Sequence, residues 1–166
     1  AEMIVSLDKA LAHFAGIIHR DLDLDVLNLE GGGAAGGMGA GLYAFCGAKL
    51  RPGIEIVTDA LHLADIVADA DLVITGEGRI DSQTIHGKVP VGVAIVAKKY
   101  HKPVIGIGGS LTRDVEVVHQ YGIDAVFSVL TSISTLEEAF RGAFDNIYRA
   151  SRNIAATLAI GMRSAG

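Results

Sequence analysis

The sequence has a single cysteine, so no disulfide can form within the chain and a reducing compartment, the cytoplasm, suits it. Cys46 stands among Ala44, Phe45 and Ala48 and is expected to be a small buried hydrophobe, not a catalytic thiol. No apolar run reaches the ~18 residues needed to span a bilayer. The chain opens without a charged, then apolar, then small-residue leader, so no secretory signal is expected. Lysine and arginine form no cluster beyond Lys98-Lys99 with Lys102, and the net charge is −5. A nucleic-acid footprint is therefore missing, and an anionic ligand must be held by local groups. No G-x-x-x-x-G-K-[ST] occurs, because Gly87-Lys88 lacks the upstream glycine. No G-x-S-x-G elbow occurs, because Ser110 is followed by Leu111-Thr112. The six histidines show no metal-ligand spacing. His62 with Asp65 and Asp69 reads as a solvated helix face, while His86 lies beside a charged segment.

What is present is apolar residue and glycine. Hydrophobic residues make up 50% of 166 positions, enough for one full core and part of a second. The 21 glycines concentrate at positions 31–41 and recur where strands are expected to end, where backbone approaches ligands closely.

Residues 6–20 carry Leu7, Leu11, Phe14, Ile17 and Ile18 on one helical face, with Ser6 as N-cap. A polar stretch, Asp21 to Asp25, leads into Val26-Leu27-Asn28-Leu29 and then a glycine-rich segment. A helix over 42–48 is broken by Arg51-Pro52-Gly53. Beyond it the pattern becomes regular. Strands are expected at 54–57, 72–75, 103–107 and 125–130. Helices are expected at 59–68, at 91–100 after Pro90, at 115–121 before Gly122, and from the Thr135/Glu138 capping box to about residue 160. Alternating strands and helices with long connections predict an α/β fold: a parallel sheet flanked by helices, a Rossmann-like three-layer arrangement. The Pro52-Gly53 break suggests two parts: residues 1–53, a helix plus glycine-rich segment, and residues 54–166, the α/β portion.

The most informative stretch is Thr75-Gly76-Glu77-Gly78-Arg79-Ile80-Asp81-Ser82-Gln83. It follows the apolar run Leu72-Val73-Ile74 and reads as a charged loop hinged by glycines. Lys88 comes five residues after Gln83. The next strand is followed by Gly108-Gly109-Ser110 and Thr112, and the third by Thr131, Ser132 and Ser134. In a parallel sheet these ends share the carboxyl edge, where ligands bind. Glycine backbone amides suit an anion. Arg79 or Lys88 can hold a carboxylate or phosphate. Asp81, with Glu77 as its alternate, can hold Mg²⁺ or accept a hydroxyl proton. A solvated polar loop would share much of this composition, and Thr131 and Ser132 serve equally well as helix-entry residues.

A competing motif is Gly31-Gly32-Gly33-Ala34-Ala35-Gly36, which matches the dinucleotide fingerprint G-x-G-x-x-G and would make the chain an NAD(P)-binding oxidoreductase module. Glu55 and Asp59 lie near the spacing of a ribose-binding acid. Val26–Leu29 is a poor buried strand for that motif, and Gly37, Gly39 and Gly41 would sit in its helix, each costing about 1 kcal/mol against alanine.

Gly33-Ala34-Ala35-Gly36-Gly37-Met38-Gly39-Ala40, then Leu50-Arg51-Pro52-Gly53-Ile54-Glu55, and the stretch from Asp69 to Gln83 together resemble the C-terminal part of the bacterial glycerate kinases. Gly122-Ile123-Asp124-Ala125-Val126-Phe127-Ser128 fits the same pattern, and the resemblance covers essentially the whole chain. It implies a fragment of a larger two-domain α/β kinase whose N-terminal half, with its Asp-Ser-Tyr-Lys-Glu-Ser and Gly-Gly-Ser-Ala-Thr-Asn-Asp segments, is missing here. It implies ATP and Mg²⁺ as cofactors, D-glycerate as substrate, 2-phosphoglycerate as product, and a role in glyoxylate or sugar-acid breakdown. The fragment is expected to be inactive alone. On this reading Asp81, Glu77 and Arg79 are the catalytic candidates, and Asp81 and Glu77 the metal candidates. Gly36, Gly37, Gly39, Lys88, Gln83, Gly109 and Ser110 would contact substrate or phosphate.

Overall fold

The structure, a computed structural model, describes residues 2–164. It divides into two compact units, Ala1–Pro52 and Gly53–Gly166.

In the first unit, α1 (Glu2–Leu22) packs against α2 (Ala34–Cys46). Ala15 and Ile18 of α1 are buried with Val26 and Ala40, because spacings of three and four residues put them on one side of a helix. Helix α1 runs beyond the expected 6–20 because no glycine or proline stops it before Asp23, which turns left-handed at φ 55°. Residues 26–29 form a turn closed by Leu29 N–H donating to the Val26 carbonyl at 3.3 Å. The opening of α2 is irregular: Ala35, Gly36 and Gly37 are left-handed, with φ of 50°, 70° and 91°. Regular helix follows, and it ends at Gly47, whose N–H donates to the Leu42 carbonyl from a left-handed conformation. Cys46 is exposed, not buried as expected. Gly37, Ala40 and Ala44 turn inward, and Cys46, two residues past Ala44, falls on the other side of the helix.

The second unit opens with α3 (Gly53–Ala60) and α4 (Leu63–Ala68), separated by the left-handed His62. The strand expected at 54–57 is therefore helix, and the helix expected at 59–68 is two short ones. Ile54 and Thr58 share a helical face, Ile54 rests where Gly92 of α5 leaves room, and the Thr58 hydroxyl donates to the Glu55 carbonyl at 3.1 Å. That packing overrides the strand propensity of Ile54, Ile56 and Val57.

Three strands, β1 (Val73–Ile80), β2 (Val104–Leu111) and β3 (Ala125–Ser128), form one parallel sheet in that order. Val73 pairs with Val104, Glu77 with Gly108, Arg79 with Ser110 and Gly106 with Val126. Helix α5 (Val89–Lys99) connects β1 to β2, and a 3₁₀ segment, Val115–Tyr121, capped by Gly122, connects β2 to β3. The core lies between sheet and α5: Val73, Ile80, Val104, Val91, Ala94, Ala97, Val118 and Ile123. The α/β class and the helix-flanked parallel sheet are as expected.

One ion pair pins the start of the sheet. Asp124 accepts from Val104 N–H and from the Lys98 ammonium, both at 2.6 Å, tying β2, α5 and the entry to β3 together. Partial burial opposes the charge on Asp124. The Lys98 hydrogen bond and the Val104 N–H outweigh it, so its carboxyl titrates below the usual range.

After β3 come α6 (Leu136–Arg141) and α7 (Ala143–Ser164). Thr135 and Glu138 form the expected capping box. The expected continuous helix to 160 is interrupted at Gly142, a weak helix former. These helices stand across the sheet face that α5 does not cover. Between them lies a cavity of about 550 Å³ lined by Ile74, Ile107, Leu130, Phe140 and Ile147, with Glu77 and Ser110 at its border.

Candidate active site at the carboxyl edge of the sheet

Glu77 and Arg79 lie on a strand, not on a loop. β1 continues to Ile80 and β2 to Leu111, well past the expected ends at 75 and 107. Gly76, read as a hinge, and Gly109, read as loop backbone, serve a different purpose, while Gly78, the other expected hinge, has open space where a Cβ would go. A Cβ on Gly76 would run into the Ile107 carbonyl, and one on Gly109 would lie 2.5 Å from the Gly78 carbonyl oxygen. They allow β1 and β2 to approach closely here while remaining paired.

The chain turns just after β1. Asp81 caps a 3₁₀ turn, Ser82–Ile85, and its Oδ1 accepts the Gln83 N–H at 2.9 Å. Thr84 completes the capping box and is fully buried. Its hydroxyl accepts the Asp81 N–H at 3.1 Å and donates to Glu77 Oε1. Lys88, the N-cap of α5, follows. Its Nζ lies 3.3 Å from Asp81 Oδ1 and 3.9 Å from Glu77 Oε2. Two carboxylates and one ammonium thus meet around a buried threonine. Among the described residues, the hydrogen bonds to the Asp81 side chain fall on Oδ1.

A second tie joins this turn to the end of β2. The Thr112 N–H and hydroxyl both donate to the Ile80 carbonyl, at 3.3 and 3.4 Å, and the Ser82 and Thr112 side chains lower the pKa of the exposed Asp114 below the usual carboxylate value. The segments following β1 and β2 are thereby held side by side.

The structure brings Glu77, Asp81, Lys88 and the backbone of Gln83 into one cluster. Arg79 is exposed on β1 in register with Ser110, and its guanidinium has no hydrogen bond or ion pair among the described residues. Gly109 is beside it, its carbonyl accepting from the Ser128 hydroxyl at 3.4 Å. Thr131 and Ser132 are exposed beyond β3, and the Ser134 hydroxyl is buried without a partner. In the other unit, Gly36 is exposed. Gly37 is buried, its N–H donating to the Gly33 carbonyl at 3.2 Å, and a Cβ there would lie 2.8 Å from Leu11. Gly39 is buried where a Cβ would strike the Gly31 carbonyl. The dinucleotide fingerprint requires a strand before its glycines, and a turn stands there instead.

Thr84 carries much of this geometry, and the residue pattern of the Thr75–Gln83 stretch stops just short of it. The Asp81-x-x-Thr84 spacing before an apolar helix is a capping signature that could have revealed Thr84. The contact of Thr112 with the Ile80 carbonyl joins residues remote in sequence, and no local pattern signals it.

Fold and site together define an α/β protein whose sheet presents carboxylates, a lysine and close-packed glycine backbone at its carboxyl edge. Comparison with known proteins narrows this class. The model of the glycerate kinase family matches residues 1–159. The Glycerate 2-kinase of Escherichia coli K12 is 73% identical over 164 residues, covering 99% of this chain and 43% of that protein. The Glycerate kinase of Bacillus subtilis 168 is 50% identical over 158 residues, covering 95% of this chain and 41% of that protein. A crystal structure from Salmonella typhimurium LT2, of a protein assigned as glycerate kinase 2, superposes with a TM-score of 0.75 at 65% identity, over 98% of this chain and 42% of that one. The chain belongs to the glycerate kinase family. It spans about two fifths of the length of these relatives.

Proposed function

We propose that the chain is the C-terminal part of an ATP-dependent glycerate kinase that transfers the γ-phosphoryl group of ATP to D-glycerate, giving 2-phosphoglycerate. The grouping of Glu77, Asp81 and Lys88 at the carboxyl edge, in a member of this family, carries the reading. Phosphoryl transfer is mostly positioning and charge stabilisation. Asp81 holds the metal or accepts the proton of the attacking hydroxyl, with Glu77 as its alternate. Lys88 and Arg79 hold phosphate or the glycerate carboxylate. Ser110, the Gly109 backbone and Gln83 border the ligand, and in the other unit the exposed Gly36 offers backbone to an anion, with the buried Gly37 and Gly39 shaping that segment.

The donor set suits Mg²⁺. That ion takes one or two carboxylates and completes its shell with water and phosphate oxygens, so Glu77 and Asp81 suffice without a third acidic ligand. When bound, it neutralises charge on the ATP phosphates.

Catalysis requires the longer polypeptide, since the relatives are more than twice this length. Soluble substrates and ATP fit the cytoplasm and a place in glyoxylate or sugar-acid breakdown. Among the described residues no helix is long and apolar enough to cross a membrane. The test is coupled ADP release with D-glycerate and Mg·ATP, on the full-length protein and on residues 1–166 side by side, with ³¹P NMR of the product. ADP release by the full-length protein alone, with phosphate on the 2-hydroxyl, is expected. No glycerate-dependent ADP release from the full-length protein would withdraw the reading.

A further inference from the structure

We infer that Thr84 is the positioning residue of the site: its buried hydroxyl fixes the Glu77 carboxylate relative to Asp81. Glu77 and Asp81 are four residues apart, and an extended strand would separate them by roughly 13 Å. The 3₁₀ turn folds the chain back, and Thr84 is the residue that meets both. A hydroxyl has one proton to give and lone pairs to receive. Here it gives the proton to Glu77 Oε1 and receives the Asp81 N–H at 3.1 Å. With Oε1 engaged, Oε2 is left on the side of Lys88, 3.9 Å from Nζ. Thr84 is 0% exposed, so it touches no ligand and acts only through the two carboxylates. Serine supplies the same hydroxyl. Valine has the same shape and no hydroxyl, which leaves the Asp81 N–H and Glu77 Oε1 without partners.

This inference rests on the proposed kinase reading for its kinetic test and on geometry alone for its structural one. Thr84→Val, Thr84→Ser and Thr84→Cys are made in the full-length protein. The crystal structure of Thr84→Val is expected to show the Glu77 side chain turned to another rotamer. In glycerate-dependent ADP release, kcat is expected to fall about 10- to 100-fold in Thr84→Val, as for other residues that orient ligating carboxylates. KM for ATP is expected to stay within about threefold, because no substrate contact is lost. Thr84→Ser is expected to stay within about threefold of wild type, the hydroxyl being kept. Should Thr84→Val not fold, Thr84→Cys, a poor donor of similar size, is expected to lose kcat while remaining folded. An unmoved Glu77 rotamer overturns the inference, as does near-normal kcat in a folded Val or Cys variant. A serine variant as impaired as the valine one overturns it too, since the methyl packing would then be what matters. A wild-type protein without kinase activity removes the functional reading, and the Glu77 rotamer in Thr84→Val still decides the role of Thr84.

Discussion

The Lys88 ammonium sits 3.3 Å from Asp81 Oδ1, and the two come from opposite ends of one eight-residue segment. The turn between them is what turns a strand end and a helix start into a site. Both side chains are partly buried, so the Asp81 carboxylate keeps a charged partner within hydrogen-bonding distance.

Replacing Asp81 with asparagine keeps the cap acceptor and removes the charge. Turnover of the full-length protein is expected to fall about 10²- to 10⁴-fold, the range for losing a positioned acid–base or charge-stabilising group. Unfolding temperature is expected to change little. Near-normal ADP release from Asp81→Asn would rule out a carboxylate role at this position.

Lys88→Met removes the ammonium while keeping the stem. The expected result is a rise in KM for the anionic ligand that Lys88 holds, read from saturation curves for ATP and glycerate. Unchanged KM and kcat for both would show that Lys88 serves only its two carboxylate neighbours.

Asp124→Ala leaves the Val104 N–H unpaired at the start of β2, and a loss of about 1–3 kcal/mol of stability is expected. The pH dependence has a definite sign. The folded-state pKa of Asp124 is depressed, so its contribution is complete above the ordinary carboxylate pKa and is lost as pH falls through the lowered folded value. Thermal unfolding from pH 7 down to pH 2 should therefore fall more steeply for the parent protein than for Asp124→Ala. Parallel curves would contradict this.

Gly92 lies where α3 crosses α5, and a Cβ there would overlap the side chain of Ile54. Gly92→Ala is expected to destabilise by about 1–3 kcal/mol despite the better helix propensity of alanine. Pairing it with Ile54→Val should recover part of the loss. A stabilised single variant would mean that the helices are not in contact at this point.

Much of this was legible in the sequence. The parallel order, the Thr135/Glu138 box, the Gly122 cap and the grouping of Glu77, Asp81 and Lys88 follow from local pattern plus the geometry of parallel sheets. The errors share a cause. Residues 54–57 were expected as strand because β-branched residues favour one, and the contact of Ile54 with α5 decided for helix. Gly76 was expected as a hinge and Gly109 as loop backbone for an anion, yet each sits opposite a carbonyl on the neighbouring strand. Glycine serves both purposes, and only the neighbour tells them apart. Cys46 was expected inside because its neighbours are apolar, but helix phase puts it outside.

The close approach of β1 and β2 bears on how this edge can change. Gly76, Gly108 and Gly109 have backbone or side-chain atoms where a methyl would go, so that stretch of floor accepts almost no new side chain. Arg79, exposed on that same stretch of β1, is a position where a side chain can still vary, and a library that varies this edge would start with its codon.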